Sequence, residues 1–235
     1  GNFSFRNARS IVSGALSANP VKMLVNDFDG NDTEDVLGYG SASGSIYWLD
    51  NDGTANFSMP RVLVNGISNL SDMQAVDMEG DGDIDILYSD IDNDSVSWIE
   101  NLENQTFGLP QLISSQVRGI SAAKAADLNG DGLRDVIAAS RDDDRILWYP
   151  NIGGRNFSSV SSIARLADVY RPDWVSVLDI NGDNANDVLV GSFQEGEIVW
   201  YPNNGLNDFD SLRVLTEFRL GLTSIHPIDF DQDQD

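Results

Sequence analysis

A short acidic loop recurs through the chain at nearly constant spacing. Four copies are complete: DFDGNDTED (27–35), DMEGDGDID (77–85), DLNGDGLRD (127–135) and DINGDNAND (179–187). A fifth, DFDQDQD (229–235), stops at its seventh position. The copies begin at Asp27, Asp77, Asp127, Asp179 and Asp229, which gives intervals of 50, 50, 52 and 50. So regular a period means one structural unit repeated in tandem, not scattered loops.

Aligning the copies on the loop brings out the rest of the unit. A short apolar stretch precedes each loop, as in VKMLVND (21–27) or WVSVLD (174–179). Another follows it, as in VLGYG (36–40) or VIAAS (136–140). After a polar link comes a strand built around Trp48, Trp98, Trp148 or Trp200, with the same intervals as the loops. A turn rich in Gly and Asn leads to Phe57, Phe107, Phe157 or Phe209, and a fourth short strand closes the unit. The Val, Ile, Leu and aromatic content, cut by Gly, Asn and Asp turns, predicts four strands per unit and no helix of useful length. Four-stranded units of this length predict an all-β chain, a β-propeller of four-stranded antiparallel blades. The repeated Trp is expected to pack between neighbouring blades.

The expected repeats run over 19–68, 69–117, 118–168 and 169–217, with the end of one blade at 1–18 and the start of another at 218–235. That is about four and a half blades in one partial propeller over 1–235. Such an arc leaves two sheet edges unpaired, so the chain is expected to be part of a larger propeller.

Inside each loop, oxygen-bearing side chains stand at positions 1, 3, 5 and 9. They are Asp27, Asp29, Asn31 and Asp35; Asp77, Glu79, Asp81 and Asp85; Asp127, Asn129, Asp131 and Asp135; and Asp179, Asn181, Asp183 and Asp187. Position 7 (Thr33, Asp83, Leu133, Ala185) is expected to add a backbone carbonyl. The truncated loop offers Asp229, Asp231, Asp233 and Asp235. Alternate spacing lets a tight loop turn successive oxygens toward one hard cation, and calcium suits an all-oxygen set. Gly30, Gly80, Gly130 and Gly182 permit the turn. The loop is not an EF-hand, because position 12 is Gly38, Tyr88, Ala138 or Val190 where an EF-hand needs Glu.

Asp plus Glu number 38 against 14 Lys plus Arg, a net charge of −24. That balance argues against nucleic acid and anionic membrane as partners. No apolar run approaches 18 residues, so no membrane insertion is expected. The chain has no Cys, hence no disulfide, and bound calcium could act as the staple instead. Seven Asn-x-Ser/Thr sequons, at Asn2, Asn31, Asn56, Asn69, Asn93, Asn104 and Asn156, exceed chance and point to a secreted glycoprotein. Asn31 lies inside a metal loop and is a poor acceptor.

The unit apolar–DxDGDxxxD–apolar–W[YLI]xN–xGxxxF resembles the FG-GAP/VCBS repeat family, the calcium-binding propeller blades of integrin α-subunits and many extracellular proteins. The resemblance covers nearly the whole chain; GYG (38–40) and GSF (191–193) only echo the FG-GAP signature itself. It implies a propeller, most often seven-bladed, with calcium in strand-connecting loops: four complete sites and a truncated fifth. It leaves the ligand open, since related propellers serve adhesion, sugar binding, scaffolding and polysaccharide cleavage.

Catalytic signals are absent from the sequence. His226 is the only His, and there is no Cys nucleophile, GxSxG or phosphate-cradling Gly loop. The links between second and third strands, such as RDDDR (141–145), differ strongly between copies, and variable loops on a constant scaffold can carry recognition. The expected function is a non-enzymatic, calcium-stabilised module at the cell surface or outside the cell. It would serve adhesion or bind a protein or glycan, and could assemble with other chains. Two alternatives stay open: a lectin with repeated sugar pockets between blades, and a polysaccharide-acting enzyme on a propeller scaffold.

Overall fold

Each acidic loop turns the chain back on itself, so the apolar stretches on its two sides pair as antiparallel strands. The computed structural model describes residues 20–54, 56–102, 105–164, 169–205, 209–217, 225 and 227. Sixteen strands in four sheets lie among the described residues. The first sheet holds β1 (Pro20–Asn26), β2 (Asp35–Gly40), β3 (Ser45–Leu49) and β4 (Arg61–Val64). The second holds β5 (Leu70–Val76), β6 (Asp85–Asp90), β7 (Ser95–Ile99) and β8 (Gln111–Ser114). The third holds β9 (Ile120–Ala126), β10 (Asp135–Ser140), β11 (Arg145–Tyr149) and β12 (Ser161–Ala164). The fourth holds β13 (Trp174–Leu178), β14 (Asp187–Ser192), β15 (Glu197–Tyr201) and β16 (Arg213–Glu217).

Within every sheet the strands follow chain order and each neighbouring pair is antiparallel. These are sheets of the propeller-blade type, as the repeat predicts. Even the irregularities recur. Each third strand carries a register shift against its fourth, at Ile46/Tyr47, Val96/Ser97, Ile146/Leu147 and Ile198/Val199. In each turn, Asn51, Asn101, Asn151 or Asn203 bridges back to Phe57, Phe107, Phe157 or Phe209.

The chain divides into two compact units, 1–67 and 68–235. The first unit contains the first sheet, with Trp48 and Leu49 fully buried. The second contains the other three, and its core sits between sheets. Leu87, Val96 and Trp98 of the second sheet pack with Ala123, Ala125, Val136, Ala138 and Leu147 of the third. Ile137, Ile146 and Trp148 of the third pack with Val175, Val188, Val190 and Val199 of the fourth. Trp148 also meets Phe209 edge-on, with ring centroids 5.9 Å apart. Strands β6, β10 and β14 are buried along their whole length, which explains why their sequences run apolar instead of alternating. The expected packing of Trp between blades therefore holds for Trp98 and Trp148.

The variable links end alike. Their last residues, Gly44, Asp94, Asp144 and Gly196, all take left-handed conformations with φ of 61°, 51°, 51° and 68°. Asp94 Oδ1 accepts the Gly119 N–H at 2.9 Å, and Asp144 Oδ1 accepts that of Arg171 at 2.8 Å. Both aspartates thus tie a link to the start of the next repeat. The pieces at 1–18 and 218–235, with His226, Asp229, Asp231, Asp233 and Asp235, fall outside the described residues, apart from Ile225 and Pro227.

Candidate cation-binding loops

The first aspartate of each loop organises the turn. Asp27 Oδ1 accepts the N–H groups of Gly30 at 2.8 Å and Asn31 at 3.1 Å, and its Oδ2 accepts that of Asp32 at 2.8 Å. Asp77 does the same for Gly80, Asp81 and Gly82. Asp179 does so for Gly182, Asp183 and Asn184, and Asp127 for Gly130 and Gly132. To point these N–H groups inward, the chain adopts left-handed backbone twice. Position 4 is Gly in each of the four complete copies, with φ of 71° to 80°, and position 6 is Asp32, Gly82, Gly132 or Asn184, with φ of 63° to 98°. Gly, Asn and Asp are the residues that enter this region most readily. Position 5 then accepts the position 7 N–H, from Asn31–Thr33 to Asp183–Ala185, at 2.8 to 2.9 Å.

The ninth aspartate closes the loop from its buried side. Asp35, Asp85, Asp135 and Asp187 are each 0% exposed. One oxygen accepts the N–H of position 2: Phe28, Met78, Leu128 or Ile180. The other accepts, at 2.7 Å in all four copies, the N–H of Asn51, Asn101, Asn151 or Asn203. The indoles of Trp48 and Trp148 donate to Asp35 and Asp135 at 3.1 Å. This contact gives a physical reason for the shared interval of loop and Trp. The spacing alone marks the ninth aspartate as a ligand and carries no sign of its bond to the Asn; the Asn that closes each W[YLI]xN strand is the signal that points to it.

Burial holds these carboxyls above the ordinary aspartate range. Asp135 is pushed up to about 6, by burial first, with Asp131 adding repulsion against its three N–H donors. Burial likewise raises Asp35, Asp85 and Asp187. Glu79 is raised too, by burial and then by Asp85 and Glu100 beside it. Its Oε2 is buried with no hydrogen-bond partner. In the first loop, Asp27, Asp29 and Asp35 bring ligand oxygens within 4.8 Å of one another, a group able to hold a metal ion. Among the described residues it is the one such acidic group. Crowded carboxylates and an orphaned oxygen are what a hard cation relieves, so the donor set fits one.

A pH test follows. A raised carboxyl binds its proton more tightly in the folded chain, so the metal-free fold gains stability as pH falls from above about 6 toward the unfolded value near 3.8. In excess EGTA the chain should melt higher at pH 5 than at pH 7. Saturating calcium should abolish or reverse that order, because protons then compete with the cation. A chelated chain that melts lower at pH 5 counts against crowded carboxylates.

Beside the second loop lies a small open cleft of about 60 Å³, where the second and third sheets of the second unit meet. Met78, Glu79, Trp98, Leu133, Asn151, Gly153, Gly154, Arg155 and Phe157 line it. Arg155 pairs with the buried Glu100. The cleft is on the loop side of the sheets, not among the variable links at their other end.

Successive loop-to-loop segments, residues 27–88, 77–138 and 127–190, match the FG-GAP-like repeat. The chain belongs to the FG-GAP-like repeat family. FG-GAP repeat domains are non-catalytic structural and adhesion modules. No curated protein matches it. Among solved structures, an Agrocybe aegerita lectin described for specific recognition of non-reducing terminal N-acetylglucosamine is similar, with 21% identity and a TM-score of 0.61. The match covers 83% of this chain and 52% of the lectin. BBS1N, solved in complex with ARL6DN, is similar at 11% identity and a TM-score of 0.54, over 87% of this chain and 59% of its own. The FG-GAP-like chain thus spans between half and three-fifths of these two structures. Both likenesses concern the fold. No helix among its described residues is long and apolar enough to cross a membrane.

Proposed function

We propose that the chain is a calcium-stabilised run of propeller blades, working outside the cell, that recognises glycans at the junctions between blades of its second unit. One observation carries the glycan reading: the cleft between the second and third sheets joins an apolar floor to convergent polar groups. Trp98 and Phe157 supply the floor; Glu79 and Arg155 supply hydrogen-bonding groups. Sugar sites combine these two elements, and shallow clefts suit a terminal residue of a chain. The junction of the third and fourth sheets repeats Asn129, Trp148, Asn203, Gly205 and Phe209 at the matching positions. The N-acetylglucosamine specificity of the similar lectin supports the same choice.

The calcium reading rests on the crowded oxygens of Asp27, Asp29 and Asp35 and on the repetition of their loop in three further copies. Bound calcium would neutralise the loop carboxylates, with positions 1, 3, 5 and 9 as side-chain ligands and the position 7 carbonyl beside them. Closure into a larger propeller, seven blades in the commonest case, belongs to the same proposal, as does secretion with N-glycans at exposed sequons such as Asn156.

Titration of the chain with N-acetylglucosamine oligosaccharides in millimolar calcium tests the glycan reading. Binding is expected, and Arg155→Ala should weaken it at least fivefold. A glycan array with no binder above background overturns it. A second reading, contact with a protein, draws support from Met59 and Leu109. They stand 82% and 86% exposed, each directly before a proline that leads into a fourth strand. A chain silent on glycans that captures a defined protein ligand, with Leu109→Ser abolishing capture, would favour it.

A further inference from the structure

In the second unit, hydrogen bonds run from each acidic loop to the next. Asn151 and Asn203 occupy the same place in successive sheets, and both are buried. The backbone N–H of each is held at 2.7 Å by the ninth aspartate of its own loop, Asp135 or Asp187. Each side-chain amide then spends both its hydrogens on loop carbonyls. Asn203 Nδ2 donates to Asn186 O of its own loop at 2.8 Å and to Leu128 O of the preceding loop at 2.6 Å. Asn151 Nδ2 donates to Arg134 O at 3.1 Å and to Met78 O at 3.2 Å. The recipients are themselves tied in, since the N–H groups of Leu128 and Met78 go to the ninth aspartates of their own loops.

One pair of loops is bridged twice. Asn186 Nδ2 reaches back to Asp127 O at 2.8 Å, so two successive carbonyls of loop 127–135 hang on side chains of the fourth repeat. The matching residue of the third repeat is Arg134, and loop 77–85 keeps a single bridge to loop 127–135. A loop crowded with carboxylates must be ordered before it can hold an ion, and ordering one loop fixes the anchors of its neighbour. The second ion then meets a loop whose ordering is already partly done.

We propose that cation binding is coupled between neighbouring loops of the second unit. Asn203 and Asn186 carry the coupling between loops 179–187 and 127–135, and Asn151 carries a weaker one between 127–135 and 77–85. The inference rests on the calcium reading above. The coupling is reciprocal, as linkage requires.

Hydrogen exchange read by mass spectrometry across a calcium titration of the full chain resolves the three loops separately. Asp183→Ala disables loop 179–187 while leaving Asn186 and Asn203 in place. The calcium concentration for half-maximal protection of 127–135 is expected to rise about fivefold or more, within the usual range of coupling between sites. That of 77–85 should move less. Asn186→Ala, at a half-exposed position that spares the buried Asn203, should shrink the shift caused by Asp183→Ala. A merely structural Asn186 would displace both midpoints alike and leave the shift intact, which would remove it as a coupler. An unmoved midpoint for 127–135 in Asp183→Ala, with every intact loop still protected by calcium, overturns the coupling alone. No calcium-dependent protection at any loop overturns the calcium reading and the coupling together.

Discussion

Excess EGTA is expected to lower the melting temperature of the calcium-loaded chain by well over 5 °C. A ligand that binds only the folded state at a hundred times its dissociation constant contributes about 2.7 kcal/mol per site. For a domain of roughly 150–250 residues, each kcal/mol moves the midpoint by about 2–4 °C. A single filled loop therefore accounts for about 5–10 °C, and the second unit has three complete loops. The effect should be largest near pH 7, where the carboxyl of Asp135, pushed up to about 6, is ionised and the empty loop is most strained by repulsion. Scanning calorimetry in millimolar calcium and in excess EGTA measures it. Coincident curves at pH 7 would remove calcium from the account of this fold. Magnesium should substitute poorly, since it holds its water and demands a stricter octahedron than a flexible five-position loop provides.

The blades were legible in the sequence because their punctuation is regular. Gly30 and its copies mark backbone that few residues but Gly adopt, and the apolar stretches on either side leave little choice but paired strands. The stretch read at 36–40, for example, is β2 over Asp35–Gly40. The ninth aspartate was half legible. Its spacing suggests a ligand, but its bonds to Asn151 N and the Trp148 indole join residues 16 and 13 positions away and exist only once three strands have assembled. No local pattern encodes that. The same holds for Asn203, whose partner at Leu128 lies 75 residues back in the chain. The cleft at Trp98 and Arg155 was illegible for a related reason. Its two walls come from different repeats, and sequence variability drew attention to the links at the opposite end, where Asp94 and Asp144 serve the backbone.

The two faces of each loop can be separated by mutation. Asp135→Ala should destabilise the chain by about 3 kcal/mol in EGTA as well as in calcium. It strips the acceptor from three N–H donors, those of Leu128, Asn151 and the Trp148 indole. Each buried donor left unpaired costs about 1–3 kcal/mol, and relief from burying a carboxylate offsets part of the total. Asp135→Asn should not rescue it. An amide offers one acceptor oxygen, while the site needs two: one toward Asn151 and one toward Leu128 and Trp148. Asp131→Ala should behave in the opposite manner. Asp131 is exposed, and in EGTA its loss should change stability by no more than about 0.5 kcal/mol, because surface substitutions rarely do more and the change also lifts repulsion from Asp135. In calcium it should forfeit the stabilisation that its loop's ion supplies. Urea titrations of the three variants in both conditions read the difference. If Asp131→Ala destabilises the chelated chain as much as Asp135→Ala does, the acidic side chains of the loop are all scaffold. If neither variant loses more in calcium than in EGTA, loop 127–135 holds no ion, and the ninth aspartate is there for the strands alone.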